Sequence, residues 1–444
     1  MKHAIAVLIA LWAVVTGVGW AADNQKTSAG SMSRGRLTTP ASPAAFSAQR
    51  LNDLFGVALW SDTLLWDEPA DAVLARLQGT PQANAGDESS LSVQVRTKIL
   101  DVAPEQVRLL CRNGKVNGVT IYYVNKGDSV SRVGDPATYK TRSMYNEALA
   151  AHRRALSSLG DRIRSAAVTI RTRLSAALGE PVHKSSGAGG AATEDSELWR
   201  VGRYAILLIE EPRDSLILRI IDGEQVGTGG QNVERSGADL RQTLHQNVQR
   251  RPNGDVVITG IPMINQGGKG YCVPATWSRY FKYMGIEVDE YVLARAGNTR
   301  PGGGTSFDDM VNAAKTVASS NRRYVRVANR PFSLSFVADN IDQGLPIMWG
   351  MLSVGPFHGL GKSAERMGSA TPAAWAEQLR PARLNATRIP RDLQAAHVCL
   401  LIGYNRTTGE IAVSDSWGAG HEEKWYTVEE ARRVSQDRFA WISW

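Results

Sequence analysis

At 444 residues the chain is too long for one hydrophobic core, so two domains plus linkers are the natural reading. Its hydrophobic fraction of 43% and charged fraction of 21% are those of an ordinary soluble globular protein. The formal net charge of +8 is scattered in short clusters such as Arg153-Arg154 and Arg322-Arg323, with no Lys/Arg stripe interleaved with aromatics. This argues against a nucleic-acid partner and supports only a weak preference for anionic ones.

Lys2 and His3 precede an apolar run, Ala4 to Val15, and the small residues Gly19 and Ala21 follow. This pattern predicts a signal peptide over residues 1–21, cleaved after Ala21, and hence export to the periplasm or beyond. The run is shorter than the ~20 residues of a membrane span and no later segment reaches that length, so no span is expected after signal removal. Residues 22–45, rich in Ser, Thr, Ala, Gly and Pro, read as a flexible tether.

Residues 46–222 read as an N-terminal α+β domain. Leu91, Val93 and Val95 alternate as in a strand, Val107 to Cys111 forms a second, Asn113-Gly114 is a hairpin signal, and Val119 to Val124 returns. A long helix is predicted from Ser143 to Leu178, with Tyr145, Leu149, Leu156, Leu159, Ile163, Ala167, Ile170 and Leu174 on its apolar face. Gly179 and Pro181 end it. Trp199 to Ile209 and Ser215 to Ile221 read as another hairpin. Leu77-Gln78-Gly79-Thr80-Pro81 and Leu178-Gly179-Glu180-Pro181 each end a helix and lead into strands, a faint sign of duplicated helix–strand units. Residues 223–256 read as a linker (Gly-Thr-Gly-Gly at 227–230) and a short helix, Ala238 to Gln249, with the next strand starting at Asp255. The second domain, also α+β, takes up 257–444.

Three cysteines, Cys111, Cys272 and Cys399, cannot staple a chain of this length, and an odd count leaves at least one thiol free. Their spacing offers no C-x-x-C pair and no His/Cys cluster suited to zinc, so no metal site is expected. Around Cys272 the sequence runs Gln266-Gly-Gly-Lys-Gly-Tyr-Cys272-Val-Pro-Ala-Thr-Trp277. A glycine-rich loop becomes a helix at Val273, with Trp277, Phe281 and Met284 on one side, Pro274 in the first turn and Gly285 closing it. Cys272 then sits at a helix N-terminus, where free amides and the helix dipole favour thiolate. A buried structural cysteine is the plain alternative.

Further on, Ala396 to Ile402 reads as a buried strand that turns near Thr407 into a second, Glu410 to Ser414, followed by Asp415-Ser416-Trp417-Gly418. Pairing about that turn sets His397 opposite Asp415 to Trp417. An Asp bonded to the imidazole orients it and stabilises its charged form. Cys399 shares a face with His397 and reads as core. Between the strand Pro346 to Met351 and His397 lies an insertion, residues 352–395, with one helix, Pro372 to Gln378, and a candidate role as a lid. Its His358 reads as a solvated loop residue, and His421 as exposed. Gly302 to Ser306 lacks the Lys-Ser/Thr of a phosphate loop and reads as a turn facing the cleft.

Gln266, five residues before Cys272, the distant His397 and the Asp415-Ser-Trp-Gly run together resemble the papain-like cysteine peptidases. Asp in place of papain's Asn, and Gly-Tyr-Cys-Val-Pro-Ala-Thr around the cysteine, look closest to the compact branch of double-glycine bacteriocin-processing (C39-like) peptidases. The resemblance covers roughly residues 257–430. It implies Cys272 as nucleophile, His397 as general base and then acid, Asp415 as orienting group, and Gln266 as oxyanion donor beside the Cys272 N–H, with Trp417 shielding the His–Asp bond. It thus implies a secreted peptidase acting on a peptide or protein substrate and needing no cofactor, since nucleophile and base are both side chains. Acyl transfer of the transglutaminase or cell-wall amidase type uses the same residues. An inactive binding module on this fold is a third reading, against which the complete Gln/Cys/His/Asp set argues. The N-terminal domain carries no readable chemistry, and its place ahead of the linker suggests a part that recruits substrate or regulates.

Overall fold

The computed structural model describes residues 47–82, 90–188, 192–225 and 237–444, apart from 132, 135, 269 and 303. The expected signal peptide and tether, and residues 226–236 of the expected linker, lie outside the described residues.

The first half begins with helices α1 (Ala48–Phe55) and α2 (Ala70–Leu77), then strands β1 (Thr80–Gln82), β2 (Ser90–Gln94), β3 (Gln106–Arg112) and β4 (Lys115–Asn125). A single turn, α3 (Lys126–Ser129), leads to the long α4 (Arg142–Leu178). Strands β5 (Val182–Ala188), β6 (Ala192–Val201), β7 (Tyr204–Glu211) and β8 (Ser215–Asp222) follow. All eight strands form one sheet in the order β1-β2-β3-β4-β8-β7-β6-β5, with every described pairing antiparallel. The order is symmetric about the β4–β8 pair: a helix followed by a four-stranded meander occurs twice. The helix-ending runs at Leu77 and Leu178 were the trace of this duplication.

The hairpin signal at Asn113-Gly114 forms the β3–β4 turn, both residues at positive φ (53° and 74°) as a tight two-residue turn requires. Leu159, Ile163, Ala167, Ile170 and Leu174 of α4 pack with Val119, Ile121, Leu208 and Leu218 of the sheet. Leu156 does not: it is 44% exposed, and no residue from 142 to 158 is buried, so helical periodicity runs past the stretch that packs. The segment read as one strand, Trp199 to Ile209, is broken at Gly202 into β6 and β7, and β5 had no legible signal.

The second half contains α5 (Gly237–Gln246), β9 (Val248–Arg250), β10 (Val256–Ile258), α6 (Cys272–Tyr283), α7 (Glu290–Ala296), α8 (Phe307–Ser320), β11 (Tyr324–Asn329) and α9 (Leu334–Ile341). It continues with β12 (Ile347–Leu352), α10 (Gly355–Leu360), α11 (Pro372–Gln378), α12 (Arg380–Asn385), β13 (Ala396–Asn405), β14 (Glu410–Ser414), β15 (Lys424–Thr427), α13 (Val428–Val434) and β16 (Ser435–Ser443). These strands form a second antiparallel sheet, β11-β16-β12-β13-β10-β9, with β14 on the other edge of β13 and β15 beyond it. Helix α6 lies in its core: Trp277, Tyr280 and Phe281 pack with Trp349, Leu400 and Ile411. Leu240 and Leu244 of α5 and Val256 to Ile258 of β10 belong to the same core. The chain is thus α+β in both halves, each built round its own sheet.

Candidate active site

Helix α6 starts at Cys272, as the glycine-rich approach to it predicts, with Tyr271 at the N-cap and the Ala275 N–H bonded to the Tyr271 carbonyl at 2.9 Å. Strand β13 carries His397 near its start, and the β13–β14 ladder closes at Leu400–Ser414, just before Asp415. A register shift between Leu401 and Gly403 accommodates one extra residue. Beyond the ladder the two side chains meet: His397 Nε2 lies 2.8 Å from Asp415 Oδ1 and 3.0 Å from Oδ2. That leaves Nδ1 for Cys272, whose thiol is hydrogen-bonded to the His397 ring. All three residues are buried.

The electrostatics follow from these contacts. Burial opposes ionisation of Cys272, but the His397 charge, the hydrogen bond to it and one from the Val398 backbone outweigh it, leaving the thiol below its ordinary value. Burial likewise disfavours the His397 imidazolium, yet Asp415 and Cys272 lift it to about 10. Asp415, despite burial, is held below the usual carboxylate range by His397 and the Ser416 N–H, which donates to Oδ1 at 2.7 Å. Both shifts favour separated charge in the pair, a thiolate beside an imidazolium. Cys399, two residues from His397, is pushed well up by burial and stays a neutral core thiol.

Gln266 sits beside this group through its backbone: its N–H donates to the Ser416 carbonyl at 2.8 Å, tying the pre-helix loop to the residue after Asp415. Its side chain is buried, and among the described residues Oε1 has no partner. Trp417 lies over the imidazole, ring centroids 5.2 Å apart and 32° between planes. His358 is not a solvated loop residue. Its ring packs against Trp417 at 4.5 Å, tilted by 56°, its Nε2 is 2.9 Å from Ser353 Oγ, and burial lowers its pKa to about 4, so it is neutral. His421 is half-buried rather than exposed: its ring meets Trp417 edge-on at 5.3 Å and its carbonyl accepts from the Asp415 N–H at 2.9 Å.

Sequence reasoning missed Arg279. This fully buried guanidinium donates to the Pro262 carbonyl (2.8 Å), Ser416 Oγ (3.2 Å) and Ser414 Oγ (2.5 Å), and Thr276 Oγ1 pairs with Ser416 Oγ at 3.0 Å. Arg279 and Thr276 thereby bolt the turn that carries Asp415 to the helix that begins with Cys272. The signal was present: a charged residue two turns along from Cys272, between Ser278 and Tyr280 of a helix otherwise buried.

The 352–395 insertion is anchored rather than free to swing. Arg366 forms paired bonds to Asp255 (2.8 and 2.9 Å) and to Glu410 (2.9 and 3.0 Å), lies 3.8 Å from the centre of the Trp425 ring, and has no exposed side-chain surface. Trp375 of α11 adds a bond to Glu410 at 3.1 Å. The first helix of the insertion, α10, reaches the His397–Trp417 pair through His358. Among the described residues no group of three or more His, Cys, Asp or Glu could hold a metal ion, and no helix is long and apolar enough to cross a membrane.

Residues 258–443 match the family model described as the Peptidase C39 like family. This region is C39-like. The match begins at the end of β10, ends one residue short of the C-terminus, and so takes in α6, β13, β14 and every residue of the candidate site. A search of curated proteins finds no significant match to the chain. Within the C39-like region the fold brings Cys272, His397 and Asp415 together and ties Gln266 beside them through its backbone. They offer a sulfur whose ionisation is favoured, an imidazole beside it, and backbone amides at a helix N-terminus, an arrangement that can support acyl transfer at a carbonyl.

Proposed function

We propose that this protein is an exported cysteine peptidase that hydrolyses peptide bonds through an acyl-enzyme at Cys272. The observation that carries the reading is the buried Cys272–His397–Asp415 chain of hydrogen bonds at the N-terminus of α6, inside the C39-like region. Export rests on the charged, apolar and small-residue pattern of residues 1–21.

In this mechanism the Cys272 thiolate attacks the substrate carbonyl carbon, and the carbonyl electron pair moves onto oxygen. The Cys272 N–H and the Gln266 amide stabilise that oxyanion. His397 gives its proton to the departing amine as the C–N bond breaks and a thioester forms. The now neutral His397 takes a proton from water, which attacks the thioester. Collapse releases the carboxylic acid and returns thiolate and imidazolium. Asp415 keeps the imidazole oriented throughout and balances its charge.

The test is digestion of a peptide library by the wild type and Cys272→Ala side by side, with labelling by a thiol-directed epoxide. The proposal predicts cleaved peptides and a label on Cys272 in the wild type only. Label without cleavage, but with products joined to added amines, would instead identify an acyl transferase. Neither label nor cleavage would leave a binding module.

A further inference from the structure

The two sheets do not meet through a loose contact. Where they join, a small buried core combines Tyr122, Ile209 and Ile217 from the first sheet with Tyr271, Tyr291 and Ala294 from the C39-like region. Tyr291 packs against Tyr122 with centroids 4.4 Å apart and planes tilted by 40°, and Tyr271 meets Tyr291 edge-on at 5.8 Å. Around this core lie buried and part-buried polar contacts. Arg108 of β3 pairs with Glu290 (2.6 Å) and Asp289 (3.0 Å) at the start of α7, Tyr122 bonds to Asp289, and the Tyr291 hydroxyl reaches Gln106 and Asp128, both at 3.1 Å. Desolvated groups this closely matched fix one geometry, because any slip leaves a buried charge unpaired.

Tyr271 is the residue immediately before the proposed nucleophile. Its ring is 1% exposed and rests on Gly127 of α3, where even a Cβ would lie 2.5 Å from its Cζ and 2.7 Å from Cε1. The turn holding Gly127 is itself fixed. Asn125 Oδ1 accepts from the Gly127 and Asp128 N–H groups at 3.0 and 2.9 Å, while Asn125 N and Nδ2 donate to Glu105 Oε2 at 3.0 and 2.9 Å. Ser129 Oγ donates to the other Glu105 oxygen. The peptide between Tyr271 and Cys272 carries the Cys272 N–H, and its plane turns with the Tyr271 backbone. A clamp on the Tyr271 ring therefore sets where that N–H and the Cys272 sulfur point.

We infer that the N-terminal half is an intramolecular positioning element for the nucleophile, acting through the seat that Gly127 provides for Tyr271. Tyr271 is a positioning residue: it touches no reacting atom, and it sets the orientation of Cys272. This rests on the peptidase reading and gives the first half a role there that needs no substrate contact of its own. A displacement of about 1 Å in a reacting group costs on the order of 10²-fold in rate, so a seat this close to the sulfur has leverage.

The test uses the full chain and reads thiolate reactivity directly. Gly127→Ala and Gly127→Val add one and three carbons against the Tyr271 ring, and Gly127 has no positive φ, so the backbone tolerates either. Val93→Ala, in the separate core under α4, is the control that weakens the same half without touching Tyr271. For each folded protein, iodoacetamide alkylation of Cys272 is followed against pH. The inference predicts that Gly127→Val lowers the neutral-pH rate about tenfold or more and moves the midpoint upward, with Gly127→Ala between it and the wild type. Val93→Ala should keep the wild-type profile. A wild-type profile in both glycine variants overturns the inference, as does an equal shift in Val93→Ala, while the catalytic reading survives. Should Gly127→Val fail to fold, Gly127→Ala decides alone. Wild-type Cys272 that alkylates as an ordinary thiol sinks the peptidase reading itself.

Discussion

At the residue scale, the balance that matters is between burial and charge at Cys272 and His397. Burial alone would keep both groups neutral, but each is the other's partner, and Asp415 tilts the pair toward separated charge. The two shifts set the pH profile. The proposed mechanism predicts an acid limb of kcat/KM below the ordinary thiol range, because the pair must lose one proton, and an alkaline limb that falls as His397 deprotonates at about 10. Asp415→Asn removes the charge that raises His397, so its alkaline limb should move to lower pH and kcat should drop by about 10²–10⁴-fold. Gln266→Ala should lose about 10²–10³-fold in kcat with little change in KM, because an oxyanion donor acts only on the transition state. Steady-state kinetics across pH on a peptide found by the library screen would check all three. The meeting of Cys272, His397 and Asp415, with Gln266 tied beside them, was legible in the sequence because each occupies a local context with its own chemistry: a helix start, a strand opposite a carboxylate, a glycine-rich approach. His358 and Arg279 were not, because what matters about them is what folds against them, the Trp417 ring in one case and the Ser414–Ser416 turn in the other.

At the scale of elements, α6 and the β13–β14 hairpin were readable from their ends. Glycine marked the loop before Cys272, and the turn at Thr407 placed His397 and Asp415 at one height. The hairpin arithmetic tolerated the extra residue near Ile402 because the expected pairing was a range, Asp415 to Trp417. The insertion was misjudged. Its length suggested a lid, whereas the deciding interaction joins Arg366 to Asp255 and Glu410, more than forty residues away on either side, and no local pattern announces such a triad. Arg366→Met should leave both carboxylates buried without their cation and cost roughly 3–5 kcal/mol. Urea denaturation would measure the loss, and limited proteolysis within residues 361–385 should speed up. Unchanged stability would show that the triad does not hold the insertion.

For the whole molecule, length pointed to two parts and the strand and helix patterns to α+β, and the fold contains two sheets with their own cores. Repetition in the first half survived in sequence only at its two helix ends, since a meander needs alternating burial and not particular residues. The junction between the halves was not legible: Arg108 and Tyr122 lie far in the chain from Asp289 and Glu290 and meet them only in three dimensions. Glu105, which braces the Gly127 turn, makes this junction sensitive to pH. Burial, with Asp128 nearby, raises it from 4.5 to about 7 despite bonds from Ser129 and Asn125. The folded protein therefore holds a proton there that the unfolded chain has released, and stability falls as pH rises from about 4.5 to about 7. Glu105→Gln should remove this slope, changing the difference in unfolding free energy between the two ends of the window by roughly 1–3 kcal/mol. Denaturant titrations at about pH 5 and about pH 8 would show it. An unchanged slope would mean that Glu105 is charged throughout.

The most direct test of the account is a difference titration of thiolate absorbance between the wild type and Cys272→Ser. An ionised Cys272 at rest predicts a step whose midpoint lies well below the ~8.5 of a free thiol, present only in the wild type. A midpoint at or above that value would mean that His397 does not hold the sulfur ionised, and the proposed chemistry would lose its nucleophile.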